Sequence, residues 1–149
     1  MPCELCTTLA QSRAGGDPSH IADLAESTLI LSAPQGCPGW SVLILNGHHE
    51  HLESLDPARR ARLFEDLMRA AAAIRTAFPE VTRLNYACLC NQVPHLHWHL
   101  IPRRPADPPG AVWSWPEDQQ RGRSAAAARD AAVEAIREAF RVGRPERRP

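Results

Sequence analysis

The chain has 149 residues, 44% of them hydrophobic and 23% charged, with a formal net charge of zero. That length fits one domain with a buried core, and that balance is ordinary for a globular protein. All 17 basic residues are arginine, which excludes a Schiff-base or phosphate-loop lysine and leaves histidine as the group that titrates near neutrality.

No apolar run reaches the length of a membrane span, and the start "MPCELCTTLA" lacks the basic flank and apolar stretch of a secretory signal. The expectation is a cytoplasmic protein with no membrane partner. Residues 121–149 hold eight arginines against four acids, a balance of +4. Such a tail reads as a solvated helix face rather than a nucleic-acid surface. Five cysteines, Cys3, Cys6, Cys37, Cys88 and Cys90, do not suggest a disulfide framework in that setting.

Taken in chain order, residues 13–19 read as a loop and 20–33 as two short strands around a turn. A turn over 34–39 leads into a β-rich strand, "WSVLIL" (40–45), and residues 46–51 form another loop. Asp56–Pro57 is a helix start, an acidic cap followed by proline at the first helical position. Leu63, Phe64, Leu67, Ala71, Ile74 and Phe78 continue a helical stripe of roughly 20 residues up to Pro79. Residues 81–89 and 95–101 read as strands. Residues 102–117 are proline-rich and irregular, and Ser124 to Arg141 reads as a second helix. Without a βαβ rhythm this pattern predicts an antiparallel α+β fold in a single domain, 1–149, with its core at 3–104.

The stretch "HLHWHLI" (95–101) alternates strictly. Successive strand side chains point to opposite faces, so His95, His97 and His99 share one face at a spacing of roughly 7 Å. Leu96, Trp98 and Leu100 share the other, which must face the core. The imidazoles therefore lie on the open side of the sheet. Grouped imidazoles repel one another when protonated, a cost that packing alone does not explain. Two chemistries fit: a transition-metal site, or covalent catalysis in which a neutral imidazole attacks phosphorus. The second needs an acceptor for the nucleophile's other ring nitrogen, donors around the phosphate and an acid for the leaving group.

"HLHWHLIPR" resembles the histidine triad (HIT) pattern, three histidines separated by apolar residues. "SVLILNGHHEHLESL" is similar to the strand that leads to an early histidine in that superfamily, here His48, with Gly39 before the strand. "LNYACLCNQVPH" is similar to its phosphate-contact loop. The resemblance implies a HIT-like, five-stranded antiparallel sheet with one long helix and a C-terminal helix, usually in a homodimer. It also implies hydrolysis or transfer at the α-phosphate of a nucleotide, a small-molecule partner, with no cofactor needed for catalysis. By the same resemblance His97 is the nucleophile, His99 donates to the phosphate or the leaving group, and His95 orients the site through its carbonyl. His48 is a fourth, supporting histidine. Asn85, Asn91, Gln92 and Ser32 fall at or near substrate-contact positions. Asn91 stands where glutamine is commoner, and Ser32 where an Asp or Asn often holds the ribose hydroxyls. The substrate class expected first is a dinucleoside polyphosphate, then a nucleoside phosphoramidate.

"CELC" places Cys3 and Cys6 at metal-ligand spacing, although a lone pair of cysteines is two ligands short of a structural zinc site. Some HIT proteins complete such a site with the early histidine and the first triad histidine, which here implies zinc on Cys3, Cys6, His48 and His95. Free thiols or a redox pair are the alternatives. Trp113 and Trp115, after the proline-rich turn, suit stacking on a base, a subunit contact or simple packing. A catalytic metal on the histidine row, or a nucleotide-binding adaptor with negligible turnover, remain the rival functions.

Overall fold

The alternation in residues 95–101 demands a sheet with one covered face. The computed structural model, which describes residues 3–33, 35–122 and 125–143, supplies it. Its strands are β1 (His20–Asp23), β2 (Ser27–Leu31), β3 (Ser41–Leu45), β4 (Arg83–Ala87) and β5 (His97–Arg103). They form one five-stranded sheet in the order β1-β2-β3-β5-β4, antiparallel throughout. The helices are α1 (Glu4–Arg13), α2 (Pro57–Ala77), α3 (Glu117–Arg121) and α4 (Ala126–Val142). The α+β architecture is the expected one. No helix among the described residues is long and apolar enough to cross a membrane.

Trp98 and Leu100 of β5 join Leu29, Leu31, Leu43 and Leu45 in one core with Leu63, Leu67 and Ile74 of α2 and Val133 and Ile136 of α4. Each such leucine or isoleucine contributes about 1.5–3 kcal/mol on burial. Helix α2 starts where the sequence predicts: Asp56 accepts a hydrogen bond from the Arg59 amide, and Pro57 occupies the first turn. Phe64 departs from the expected stripe. It is 44% exposed and meets Trp98 edge-on at 6.2 Å. It lies one position round the helix from Leu63, at the margin of the buried face.

The register sets the histidines in place, with Ile44 opposite His97 and Val42 opposite His99. β5 begins two residues later than alternation predicts, because the His95 amide turns back to donate to the Val93 carbonyl at 2.8 Å. It then runs on through Pro102, opposite Leu84 on the edge strand β4. β4 is shorter than expected, and beyond it Cys90 adopts a left-handed φ of 53°.

Helix α1 has no clear stripe in the sequence. Leu5 and Leu9 anchor it on Ile30, Val42 and Ile44, on the sheet face opposite α2 and α4. The sheet, not intrinsic propensity, makes this helix. On that same face Trp40, Ile101, Val112 and Trp115 enclose Cys37. The stretch expected to be irregular holds one 3₁₀ turn over 112–114, and α3 follows it. The Gln35 and Gly36 amides donate to the carbonyls of Arg121 and Gln120 at 3.0 and 3.1 Å, tying α3 to the loop before β3. A Cβ at Gly36 would collide with the carbonyls of Gln119 and Gln120. Gly39 has a φ of 91°, and a Cβ there would sit 2.6 Å from the Phe78 ring. The second helix is α4; Ser124, its expected first residue, lies outside the described residues, as do Arg123, Arg144, Arg147 and Arg148 of the basic tail.

Candidate active site

The open face of β5 floors a cleft of about 930 Å³, lined by His97, His99, Trp40, Ser32, Asn91 and Gln92, with Trp113 and residues 120–122 among its walls. His97 Nδ1 lies 2.6 Å from the carbonyl oxygen of His95. A carbonyl only accepts, so Nδ1 carries the proton and donates. Nε2 is then the lone-pair nitrogen of a ring that lines the cleft. His99 is fixed in the opposite sense. The Trp40 indole N–H donates to its Nδ1 at 3.1 Å, so a neutral His99 carries its proton on Nε2. Burial, and the neighbouring His97 imidazole, lower the pKa of His99 to about 4. It is neutral at physiological pH. The two rings stand edge-on, 5.2 Å apart, one offering a lone pair and the other an N–H.

His95 turns away from this cleft. Its ring is fully buried, and Nε2 donates to the Leu45 carbonyl at 2.8 Å. Nδ1 is left as a lone pair, 3.4 Å from Cys3 Sγ and 3.6 Å from Cys6 Sγ. His48 Nδ1 lies 3.7 Å from Cys6 Sγ, and its Nε2 lies 3.4 Å from Glu50 Oε1. One ligand atom from each of Cys3, Cys6, His48 and His95 falls within 4.8 Å of all the others. Zinc with bonds of about 2.0–2.3 Å has tetrahedral edges of about 3.3–3.8 Å, which the three contacts of 3.4, 3.6 and 3.7 Å match. The second nitrogens of both imidazoles are engaged by oxygen acceptors, as in metal sites whose outer contacts fix the ligand tautomer. Burial opposes ionisation of Cys3, yet the Cys6 amide and His48 lower its pKa below the usual thiol value, whereas burial and the Cys3 thiol raise that of Cys6. The residues fit a structural zinc ion.

Of the residues singled out in the sequence, Ser32, Asn91, Gln92, His97 and His99 line the cleft. Asn85 does not; its Oδ1 accepts from Arg103 at 2.8 Å, on the exposed side of β4. His48 and His95 belong to the cysteine cluster. Trp113 lines the cleft, edge-on to His99 at 5.6 Å. Trp115 packs beneath it, buried, with the Arg103 guanidinium 4.8 Å from its ring centre. Sequence reasoning missed Trp40 and the wall formed by Gln120, Arg121 and Gly122. Trp40 carried a signal, because it alternates with Val42 and Ile44 onto the histidine face. The wall carried none, since a short helix brings it there from far along the chain.

Residues 19–106 match the family model described as the HIT domain. The chain belongs to the HIT domain family. It is similar to a solved histidine triad protein from Bradyrhizobium japonicum, with 27% identity over 87% of this chain and 95% of that one and a TM-score of 0.69. It also resembles a Zn-bound histidine triad family protein from Mycobacterium smegmatis in fold, at 22% identity, 95% coverage of both chains and a TM-score of 0.70. A hypothetical histidine triad nucleotide-binding protein from Sulfolobus tokodaii shares the fold at 18% identity, with a TM-score of 0.73 over 92% of this chain and 93% of that one. The comparison with curated proteins found no match. HIT membership supports nucleotide hydrolase or transferase chemistry in general.

Proposed function

We propose that this HIT protein hydrolyses or transfers nucleotides at the α-phosphate through a covalent adduct on His97, with dinucleoside polyphosphates as the first substrate class. The observation that carries the reading is the 2.6 Å contact between His97 Nδ1 and the His95 carbonyl. It holds the proton on Nδ1 and aims the Nε2 lone pair into the cleft. In the first step Nε2 attacks the α-phosphorus and an N–P bond forms. The P–O bond to the leaving group breaks, and its electron pair goes to the departing oxygen. His99 Nε2–H donates a hydrogen bond to that oxygen, and the His95 carbonyl stabilises the positive charge that appears on His97. In the second step water attacks phosphorus, the P–N bond breaks and its pair returns to Nε2. The nucleoside monophosphate leaves with the water's oxygen, and a proton passes to solvent. Asn91, Gln92 and Ser32 are the candidate phosphate and ribose contacts on the cleft wall. Asn85 remains a candidate only if substrate extends beyond that wall.

The cysteine cluster supports a structural zinc ion on Cys3, Cys6, His48 and His95. There it would clamp α1 to the start of β5 and supply no chemistry to the cleft. The edge of β4, unpaired among the described residues, with Tyr86 exposed on it and Phe64 and Met68 exposed on α2, supports a homodimer in which a second copy covers this patch. We assign the whole chain to one HIT unit in the cytoplasm, where thiol ligands stay reduced.

The deciding experiment compares wild type with His97→Ala on nucleotides that differ in leaving group, with mass spectrometry for an adduct on His97. Adduct and turnover in wild type alone are expected. Turnover that survives His97→Ala but not EDTA would transfer the chemistry to a metal. Nucleotide binding with neither turnover nor adduct would make the protein an adaptor.

A further inference from the structure

Trp40 lies in the cleft wall but takes no part in the steps above. It is 3% exposed, and Gly39, at its positive φ, turns the chain so that it begins the run into β3. Its indole N–H points at His99 Nδ1 from 3.1 Å, with the two rings 69° apart. Indole nitrogen is a donor only and does not titrate in the physiological range. As long as this bond holds, Nδ1 of His99 must accept. Protonating it would set N–H against N–H. Trp113 closes a second side of the ring, 5.6 Å from its centre, and His97 a third at 5.2 Å. Rotation of the imidazole that would exchange the two nitrogens therefore has little room.

The consequence is chemical. A neutral imidazole N–H gives a strong hydrogen bond, but it does not hand over its proton, because that would leave an imidazolate. Leaving groups differ in what they require. A phosphate oxygen departs as a stable anion and needs only a hydrogen bond. An amine nitrogen departs from phosphorus only after it is protonated, which needs a true acid.

We propose that Trp40 is a positioning residue that holds His99 as a neutral Nε2–H donor, and that it thereby restricts the cleft to substrates whose leaving group departs as a phosphate anion. Nucleoside and dinucleoside polyphosphates fit that requirement; nucleoside phosphoramidates with amine leaving groups do not. This rests on the reading of His97 as nucleophile and narrows the substrate class of the same site. The low proton affinity imposed on His99 by burial acts in the same direction.

Two measurements on the full chain test it. In ¹⁵N-resolved NMR, wild-type His99 is expected to show a bare Nδ1 and a protonated Nε2, and Trp40→Phe a mixture of tautomers. In kinetics, wild type is expected to prefer an adenosine polyphosphate over an adenosine phosphoramidate. Trp40→Phe, which keeps an aromatic ring but lacks the donor, should lower that preference about tenfold, through kcat rather than KM, as expected for one lost hydrogen bond. A wild-type His99 protonated on Nδ1 overturns the proposal, and so does equal use of the two leaving-group classes. If Trp40→Phe does not fold, the wild-type tautomer and substrate preference still decide. Absence of both turnover and adduct in wild type defeats the hydrolase reading itself, while the NMR result reads the role of Trp40 separately.

Discussion

Acid should destabilise this protein through His99. The ordinary pKa of 6.5 is lowered to about 4 in the folded chain by burial and the adjacent His97 imidazole. The unfolded chain therefore takes up a proton near pH 6.5 that the folded chain refuses until about pH 4. Stability is whole above that window and falls as pH drops through it. A shift of that size is about 3 kcal/mol in total, of which about 2 kcal/mol is lost by pH 5. Urea unfolding of wild type and His99→Gln, each at about pH 7.5 and 5, isolates the effect. Carboxylate titration and any acid release of metal are common to both proteins and cancel in the difference. Wild type should lose about 2 kcal/mol more than His99→Gln between the two pH values. Equal losses would refute the claim that His99 is held neutral by its surroundings.

Three further outcomes are expected. Gly39→Ala forces a side chain into left-handed backbone and against Phe78, and should cost about 1–3 kcal/mol by urea unfolding. Asp66, 1% exposed, accepts from the amides of Ala25 and Glu26 and from the Ser27 hydroxyl, so Asp66→Ala strands three donors and should cost about 3 kcal/mol or more, read as a fall in Tm. Purified protein should carry zinc close to one equivalent per chain by elemental analysis. A strong chelator should lower its Tm, whereas Cys3→Ser with Cys6→Ser should lack both the metal and the chelator response.

The fold was legible where a local pattern and a tertiary demand coincide. The alternation of residues 95–101 contains both the strand and its orientation, because Leu96, Trp98 and Leu100 have one place to go. Asp56–Pro57 fixes the start of α2 by local chemistry alone. Helix α1 was not legible, since its order comes from Val42 and Ile44 beneath it rather than from its own ten residues. The exposure of Phe64 was missed because a helical stripe gives a direction and not a width. In the site, the split between His95 and the other two histidines depends on the turn at Val93 and on the Leu45 carbonyl. Neither leaves a trace in the spacing. Asn85 illustrates the reverse: it stands at a plausible position in the sequence, and Arg103 engages it outside the cleft.

The wall that α3 contributes separates two kinds of information along the chain. The family match ends at residue 106, and the triad lies wholly inside it. Four of the cleft's lining residues, Trp113, Gln120, Arg121 and Gly122, come after that point. Gln120 and Arg121 are held in place by backbone hydrogen bonds to Gln35 and Gly36, and Trp113 stands edge-on to His99. The histidine floor of the cleft and one part of its wall are thus written in different stretches of the gene. The tail could be rewritten by drift, or exchanged with that of a relative, and present a new cleft wall to an unaltered row of histidines. Relatives that agree through the histidines should differ in the shape of this part of the wall where their last forty residues differ.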